Sequence, residues 1–375
     1  MTYPPPPGGP PAPPPGNPVP PQGYPGHWGP QSQGPWPQQQ WQSGPPQKKR
    51  GNGWKWALGA VALLAVVGVT VAVTVSVTSG DGNGDDPTPS GETYGLASAD
   101  NKGPVNIITE DPSCAAWIPI QSTLANSQGA WAERDPSIPA TSWTAEQRAQ
   151  YEVARDAYSD AADQTVQLVK VTPHRVMREL YEQFIAYARG YIDAIPQYSP
   201  EDDYLSGVAT ASSAALGYIC GAISYDAAQA RAPLVADAPA PTKLAPLSDP
   251  SSPQRLLTRP DPTCSEWDSL LTQFQVDTKA WQALDANIPA SDWTPEQRAV
   301  IDSVIPVMKT FADDIEELGR QSTNAVMQDF AILAAQYRRA YANALPTYNS
   351  ADSYLARTAN RTTAVIYDAC NAVGA

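Results

Sequence analysis

The sequence predicts an all-α ectodomain of two tandem, disulfide-linked four-helix up-down bundles, set after one transmembrane helix and a disordered Pro-rich tail. Three observations carry this. A long segment occurs twice, each copy holds two cysteines, and a basic cluster precedes a long uncharged run. In the duplication, Asp111-Pro-Ser-Cys114-Ala-Ala-Trp117 returns as Asp261-Pro-Thr-Cys264-Ser-Glu-Trp267, and Ile138-Pro-Ala-Thr-Ser-Trp143-Thr-Ala-Glu-Gln-Arg148 returns as Ile288-Pro-Ala-Ser-Asp-Trp293-Thr-Pro-Glu-Gln-Arg298. Cys220 returns as Cys370, and every pair is 150 positions apart. A register held over that length means two copies of one folding unit.

Taken in order, residues 1–53 form a Pro/Gly/Gln-rich tail. Its first 47 residues contain 18 of the 40 prolines and no Asp, Glu, Lys or Arg. Fixed φ angles and few aliphatic side chains predict disorder with local polyproline II, open to a cytoplasmic partner with an aromatic-lined groove. Lys48, Lys49, Arg50 and Lys55 then precede the uncharged run Trp56 to Val77. A helix over 54–78 is long enough to cross a bilayer core of about 30 Å. In lipid the backbone must bond to itself, so helix is expected despite the Val/Thr alternation. The positive-inside rule places the tail in the cytoplasm and the repeats outside, as in an uncleaved signal anchor. A cleaved signal peptide would need a shorter apolar run.

Residues 79–106, rich in Gly, Asp, Pro and Ser, read as a flexible stalk. The first repeat spans 107–230, a Pro-rich and rather stiff linker 231–260, and the second repeat 261–375. Four helices fit each copy. The first follows Pro112 or Pro262, with Trp117 and Trp131, or Trp267 and Trp281, on one face as core. The second opens on the capping boxes Thr144–Gln147 and Thr294–Gln297, with Pro295 at its first position and a kink expected at Pro306. The third starts near Thr172-Pro173 or Ser322-Thr323 and ends before Pro196 or Pro346. The fourth starts at Ser199-Pro-Glu-Asp202 or near Asn349-Ser350.

Four cysteines outside a membrane anchor imply two disulfides, with three possible connectivities. In an up-down-up-down bundle the start of the first helix and the end of the fourth lie at the same end. Cys114–Cys220 and Cys264–Cys370 are therefore expected.

Composition limits the chemistry. The net charge is −14, and every Asp and Glu lies at Asp81 or beyond. Such a surface repels nucleic acid. Histidine is limited to His27 in the tail and His174, whose counterpart is Asn324. That excludes a duplicated His-dependent triad or zinc site, and no phosphate-cradling loop is present, so no catalytic residue, metal or cofactor is expected. The acids that recur are Asp111/Asp261, Asp135/Asp285, Glu146/Glu296, Asp163/Asp313 and Asp202/Asp352. Helix capping and loop bonding account for them. A carboxylate-type enzyme would need two of them facing each other across a cleft. The recurrent tyrosines are the candidate binding residues. Tyr187, Tyr191, Tyr198 and Tyr204 return as Tyr337, Tyr341, Tyr348 and Tyr354, with Arg189 and Arg339 beside them. Tyr and Arg are favoured in binding hot spots.

The Pro/Gly/Gln tail, Lys48-Lys-Arg50, the Val/Ala-rich span and the Ala-rich acidic ectodomain resemble the proline-rich, single-pass envelope proteins of mycobacteria and related actinobacteria. The resemblance implies an envelope location. It names no family for the repeat, so no site residue is carried over. The expected function is a non-enzymatic, membrane-anchored protein whose modules bind an envelope protein, glycan or lipid. The alternative is a carrier that holds a lipid or other apolar ligand within its bundles.

Overall fold

The computed structural model describes residues 93–375. The tail, the expected transmembrane helix at 54–78 and the first half of the stalk lie outside the described residues. Helix α1 spans Cys114–Ser127, α2 Ala145–Val171, α3 Arg175–Ala194 and α4 Asp203–Ser224. A short α5, Ala227–Arg231, follows. The order then recurs as α6 Cys264–Asp277, a short α7 Lys279–Gln282, α8 Pro295–Gln321, α9 Ala325–Ala344 and α10 Ser353–Asn371. Among the described residues there is no strand.

The helix starts follow from local chemistry. Thr144 accepts from the Gln147 amide while the Gln147 side chain accepts from the Thr144 amide, and Thr294 and Gln297 do the same. Ser199–Asp202 and Asn349–Asp352 form equivalent boxes on 3₁₀ turns that lead into α4 and α10. Helix α8 runs through Pro306 and has 27 residues, as α2 does. Neighbouring turns therefore carry the helix past the missing donor. Asp111 accepts from Ser113 and, at 2.5 Å, from the Thr172 hydroxyl. Asp261 does the same with Thr263 and Ser322. This recurrent acid thus fixes the start of the first helix to the corner between the second and third.

Cys114–Cys220 and Cys264–Cys370 are the two disulfides, with Cα atoms 5.3 and 5.5 Å apart. Each joins the first helix of a copy to the end of its fourth. One expectation is corrected. Trp117 and Trp131 do not share a helix, because α1 ends at Ser127 and Trp131 sits on the following 3₁₀ turn. Trp281 likewise lies on α7, beyond the end of α6. Trp117, Trp131 and Trp267 are buried, whereas Trp281 is only half-buried.

Within each copy the first and third helices both pack against the second and fourth. Between copies, α4 lies along α10 in the most extensive helix–helix contact of the described chain. Residues 200–224 are long and apolar enough to cross a membrane by length and composition, but two-thirds of that stretch (67%) is buried within the protein. Packing against α3 and α10 accounts for its apolarity.

The connecting segments depart most from expectation. Residues 93–106, expected as the end of a flexible stalk, are folded down. Leu96, Ser98 and Val105 are buried, and Ala97 donates to the Lys170 carbonyl. Ile107 and Ile108 continue under the second copy, where Ile108 donates to the Tyr337 hydroxyl at 3.2 Å. The linker is not a free spacer either. It first follows the second copy, with Asn343 bonded to the Leu234 carbonyl and Arg231 to Asp352 at 2.9 Å. It then returns along α3, where Arg189 meets the Ser251 carbonyl and Leu257 donates to the Tyr187 hydroxyl at 3.2 Å. Each copy's third helix therefore holds, through an equivalent tyrosine, the arm that leads into the other copy. Buried apolar doublets, Ile107-Ile108 and Leu256-Leu257, explain why these arms leave solvent.

Candidate functional site

The candidate tyrosines separate into three environments. Tyr187 and Tyr337 are fully buried clamps on the arms. Tyr191 and Tyr198 are buried in an aromatic group with Trp131, Trp143, Tyr151 and Tyr158. Tyr198 donates to the Pro136 carbonyl at 2.8 Å, which ties the turn before α4 to the loop before α2. Tyr341 and Tyr348 repeat this arrangement with Trp281 and Trp293. Burial raises the phenol pKa throughout, with Tyr187 and Tyr341 pushed up to about 12. These six side chains are packing and clamping groups.

Tyr204 and Tyr354 are half-buried on the seam between α4 and α10. The Tyr354 ring lies over Gly221, where a Cβ would come within 2.4 Å of it. Tyr225 stacks on Tyr354 with centroids 5.2 Å apart and stays 49% exposed. Tyr218 borders the pair, and the Arg357 guanidinium sits 5.6 Å from the Tyr218 ring centre. Arg357 makes no ion pair among the described residues. Tyr218, Tyr225, Tyr354 and Arg357 thus form a solvent-facing aromatic and cationic patch on an acidic protein. The sequence reading missed Tyr218, Tyr225 and Arg357 because each lacks an equivalent in the other copy. They meet only because α4 and α10 pack together.

Arg189 pairs with Asp163 at 2.9 Å, and Arg339 with Asp313 and Glu316. Arg189 lines an open polar hollow of about 300 Å³ shared with Arg255, Asp193 and Ser252–Gln254. A hollow between α1 and α2 measures about 50 Å³. Neither is the enclosed apolar cavity that a lipid carrier requires.

The recurrent acids have structural partners. Asp135 and Asp285 bond within their own turns. Asp202 and Asp352 cap helices. Glu146 and Glu296 occupy first helical turns, where backbone N–H groups hold their carboxyls below the usual value. His174 meets the Glu110 carbonyl at 2.9 Å. Among the described residues no group of His, Cys, Asp and Glu has metal-binding geometry.

Two buried charge features stand out. Where α3 meets α9, Arg175 makes a two-pronged pair with Asp329, at 2.6 and 3.2 Å, and donates to the carbonyls of Asn101 and Gly103. Arg178 bridges Glu179 and Glu182 beside it. Burial and the nearby Asp329 hold the Glu179 carboxyl well above its usual value. The second is Asp368, partly buried on α10, whose Oδ2 is 2.9 Å from where a Cβ on Gly207 would stand. Burial, reinforced by Asp203 and opposed by Arg361, pushes Asp368 from 3.8 to about 7. The folded protein therefore holds this proton more tightly than the unfolded chain does. That stability is complete below pH 3.8 and is lost as the pH rises from there to about 7. Asp368→Asn is expected to flatten the fall of melting temperature between about pH 4 and 7, read by calorimetry.

These observations define the class of the described residues: an all-helical, disulfide-tied unit whose two halves share one seam and exchange arms. A family model described as mycobacterial ESX-1 associated protein matches residues 96–374, so the chain belongs to that family. The match opens at Leu96, the first buried residue described. An uncharacterized protein of Mycolicibacterium smegmatis (strain MKD8) is 51% identical over 347 residues, covering 91% of this chain and 92% of that one. No solved structure matches. The kinship is mycobacterial, which is the coarser part of the resemblance drawn from the sequence, and the family description is not that of an enzyme.

Proposed function

We propose that this chain is a non-enzymatic, single-pass envelope protein. Two disulfide-tied four-helix up-down bundles would stand outside the membrane and dock an envelope protein of the ESX-1 secretion apparatus, while the Pro-rich tail engages a cytoplasmic partner. The family description supports the secretion context. The observation that carries the docking role is the seam patch of Tyr218, Tyr225, Tyr354 and Arg357, which places hot-spot residue types on the surface, with Arg357 in no ion pair among the described residues. The N-terminal region contributes the anchor in this reading, through the uncharged run behind Lys48-Lys-Arg50.

The test is in vivo crosslinking of the full chain in mycobacteria, alongside a measurement of ESX-1 secretion. Loss of the chain is expected to reduce secretion. Tyr225→Ala with Arg357→Glu is expected to abolish crosslinks to apparatus components while leaving the melting temperature within about 2 °C of the parent. Unchanged secretion without the chain, or full crosslinking by the variant, contradicts the proposal.

A further inference from the structure

One face of the third helix is used differently in the two copies. On α9 the start of the linker lies across this face. Asn343 donates to the Leu234 carbonyl at 2.8 Å, and Gln336 to the Ala236 carbonyl at 3.3 Å. From the adjacent arm, Asn106 donates to the Asp237 carboxylate at 2.9 Å and accepts from the Ala238 amide at 3.2 Å. Val235 is in extended backbone. Residues 234–238 are therefore held as a bound peptide would be, through main-chain carbonyls and one acidic side chain.

The matching face of α3 holds the open hollow of about 300 Å³ instead. At the offset of 150, Gln336 and Asn343 correspond to Ala186 and Asp193. Asn106 corresponds to Arg255, because Ile108 and Leu257 donate to the equivalent tyrosines, Tyr337 and Tyr187. Ala186, Asp193 and Arg255 all line the hollow. The Arg255 side chain lies over Gly190, with Nη1 3.8 Å from where a Cβ would stand. Asp193 and Arg255 are exposed, and neither is in an ion pair among the described residues, even with the other.

The polar groups have changed sense between the copies. Asn343 offers an N–H to a carbonyl, whereas Asp193 offers only acceptor oxygens and a negative charge. It would repel a carbonyl and attract a cation. Asn106 meets Asp237 through one N–H, whereas Arg255 offers a fixed charge and a fork shaped for a carboxylate. We propose that this hollow binds a short extended peptide in trans. The peptide presents a Lys or Arg side chain to Asp193 and, three residues on, a carboxylate to Arg255, the spacing of Leu234 and Asp237. Three extended residues span about 10 Å. The chain's own residues 81–92 do not fit, since they carry four acids and no Lys or Arg. The site is on α3 and arm two, apart from the seam patch, and stands independently of it.

The test is fluorescence polarisation with the full-length chain in detergent and three pentapeptides, each N-acetylated and labelled at the C-terminus. Lys-Val-Ala-Asp-Ala is expected to bind saturably, and at least about fivefold more tightly than Leu-Val-Ala-Asp-Ala or Lys-Val-Ala-Asn-Ala. Asp193→Asn, which installs the residue of the second copy, is expected to remove the preference for Lys over Leu. Arg255→Glu is expected to abolish binding of the first peptide. Both side chains are exposed, so each variant should melt with the parent. No binding to the parent chain, equal binding of the three peptides, or a preference unchanged by both variants overturns the proposal. So does binding that appears only once residues 81–92 are deleted, because the chain's own stalk would then be the occupant.

Discussion

Replacing Cys264 and Cys370 with serine is expected to cost about 2–5 kcal/mol, enough to remove a large share of the stability of the whole described unit. The bridge closes a loop with a sequence separation of 106, for which chain entropy alone gives about 4.7 kcal/mol. The loss is not expected to stay in the second copy. Tyr337 on α9 holds the arm that enters the first copy, and α10 lies along α4. Loosening the second copy therefore releases Val105, Ile107 and Ile108 from the positions that bury them. Calorimetry of the oxidised parent and the double-serine variant reads the effect as a fall of roughly 10 °C.

Arg175→Ala is the second large effect. The substitution leaves Asp329 buried with no opposing charge and leaves the Asn101 and Gly103 carbonyls without their donor. Breaking a buried pair from one side typically costs about 3–5 kcal/mol. Removing both partners, as Arg175→Met with Asp329→Leu, is expected to recover much of that loss, because no unpaired charge then remains. Denaturant melts of the two single variants and the double variant measure this. A double variant as unstable as the sum of the singles would mean that the pair does not act as a unit.

Much of the helical framework was legible in the sequence because its signals are local. Thr144–Gln147, Ser199–Asp202 and their equivalents cap helices through side chains that reach only a few residues. The disulfide pairing followed from the spacing of Cys114 and Cys220 together with the geometry of helix ends. The arms were not legible. Residues 93–109 are too short to show periodicity, and Ile108 is held by α9, more than two hundred residues away. One signal was present. Ile107-Ile108-Thr-Glu-Asp111 returns as Leu256-Leu257-Thr-Arg-Pro-Asp261, displaced by the single insertion of Pro260. A strict offset of 150 hides it.

The candidate site was read only in part, for a related reason. Recurrence selects what both copies need, and both need packing. Tyr187, Tyr191, Tyr198, Tyr337, Tyr341 and Tyr348 recur because they clamp arms and fill cores. Arg357 on the seam patch and the buried guanidinium of Arg338 occur once each and do not appear when the copies are compared for likeness. Nothing in Tyr337-Arg338-Arg339 distinguishes a fully buried guanidinium from its neighbour, which pairs with Asp313 and Glu316 near the surface.

Exchanged arms and a shared seam hold the two copies as one unit. Hydrogen exchange of the full chain carrying Cys264→Ser and Cys370→Ser, compared with the parent, tests this directly. Loss of protection in α3 and α4 in step with α9 and α10 is the predicted result. Protection lost only beyond residue 261, with the first copy exchanging as in the parent, would contradict it.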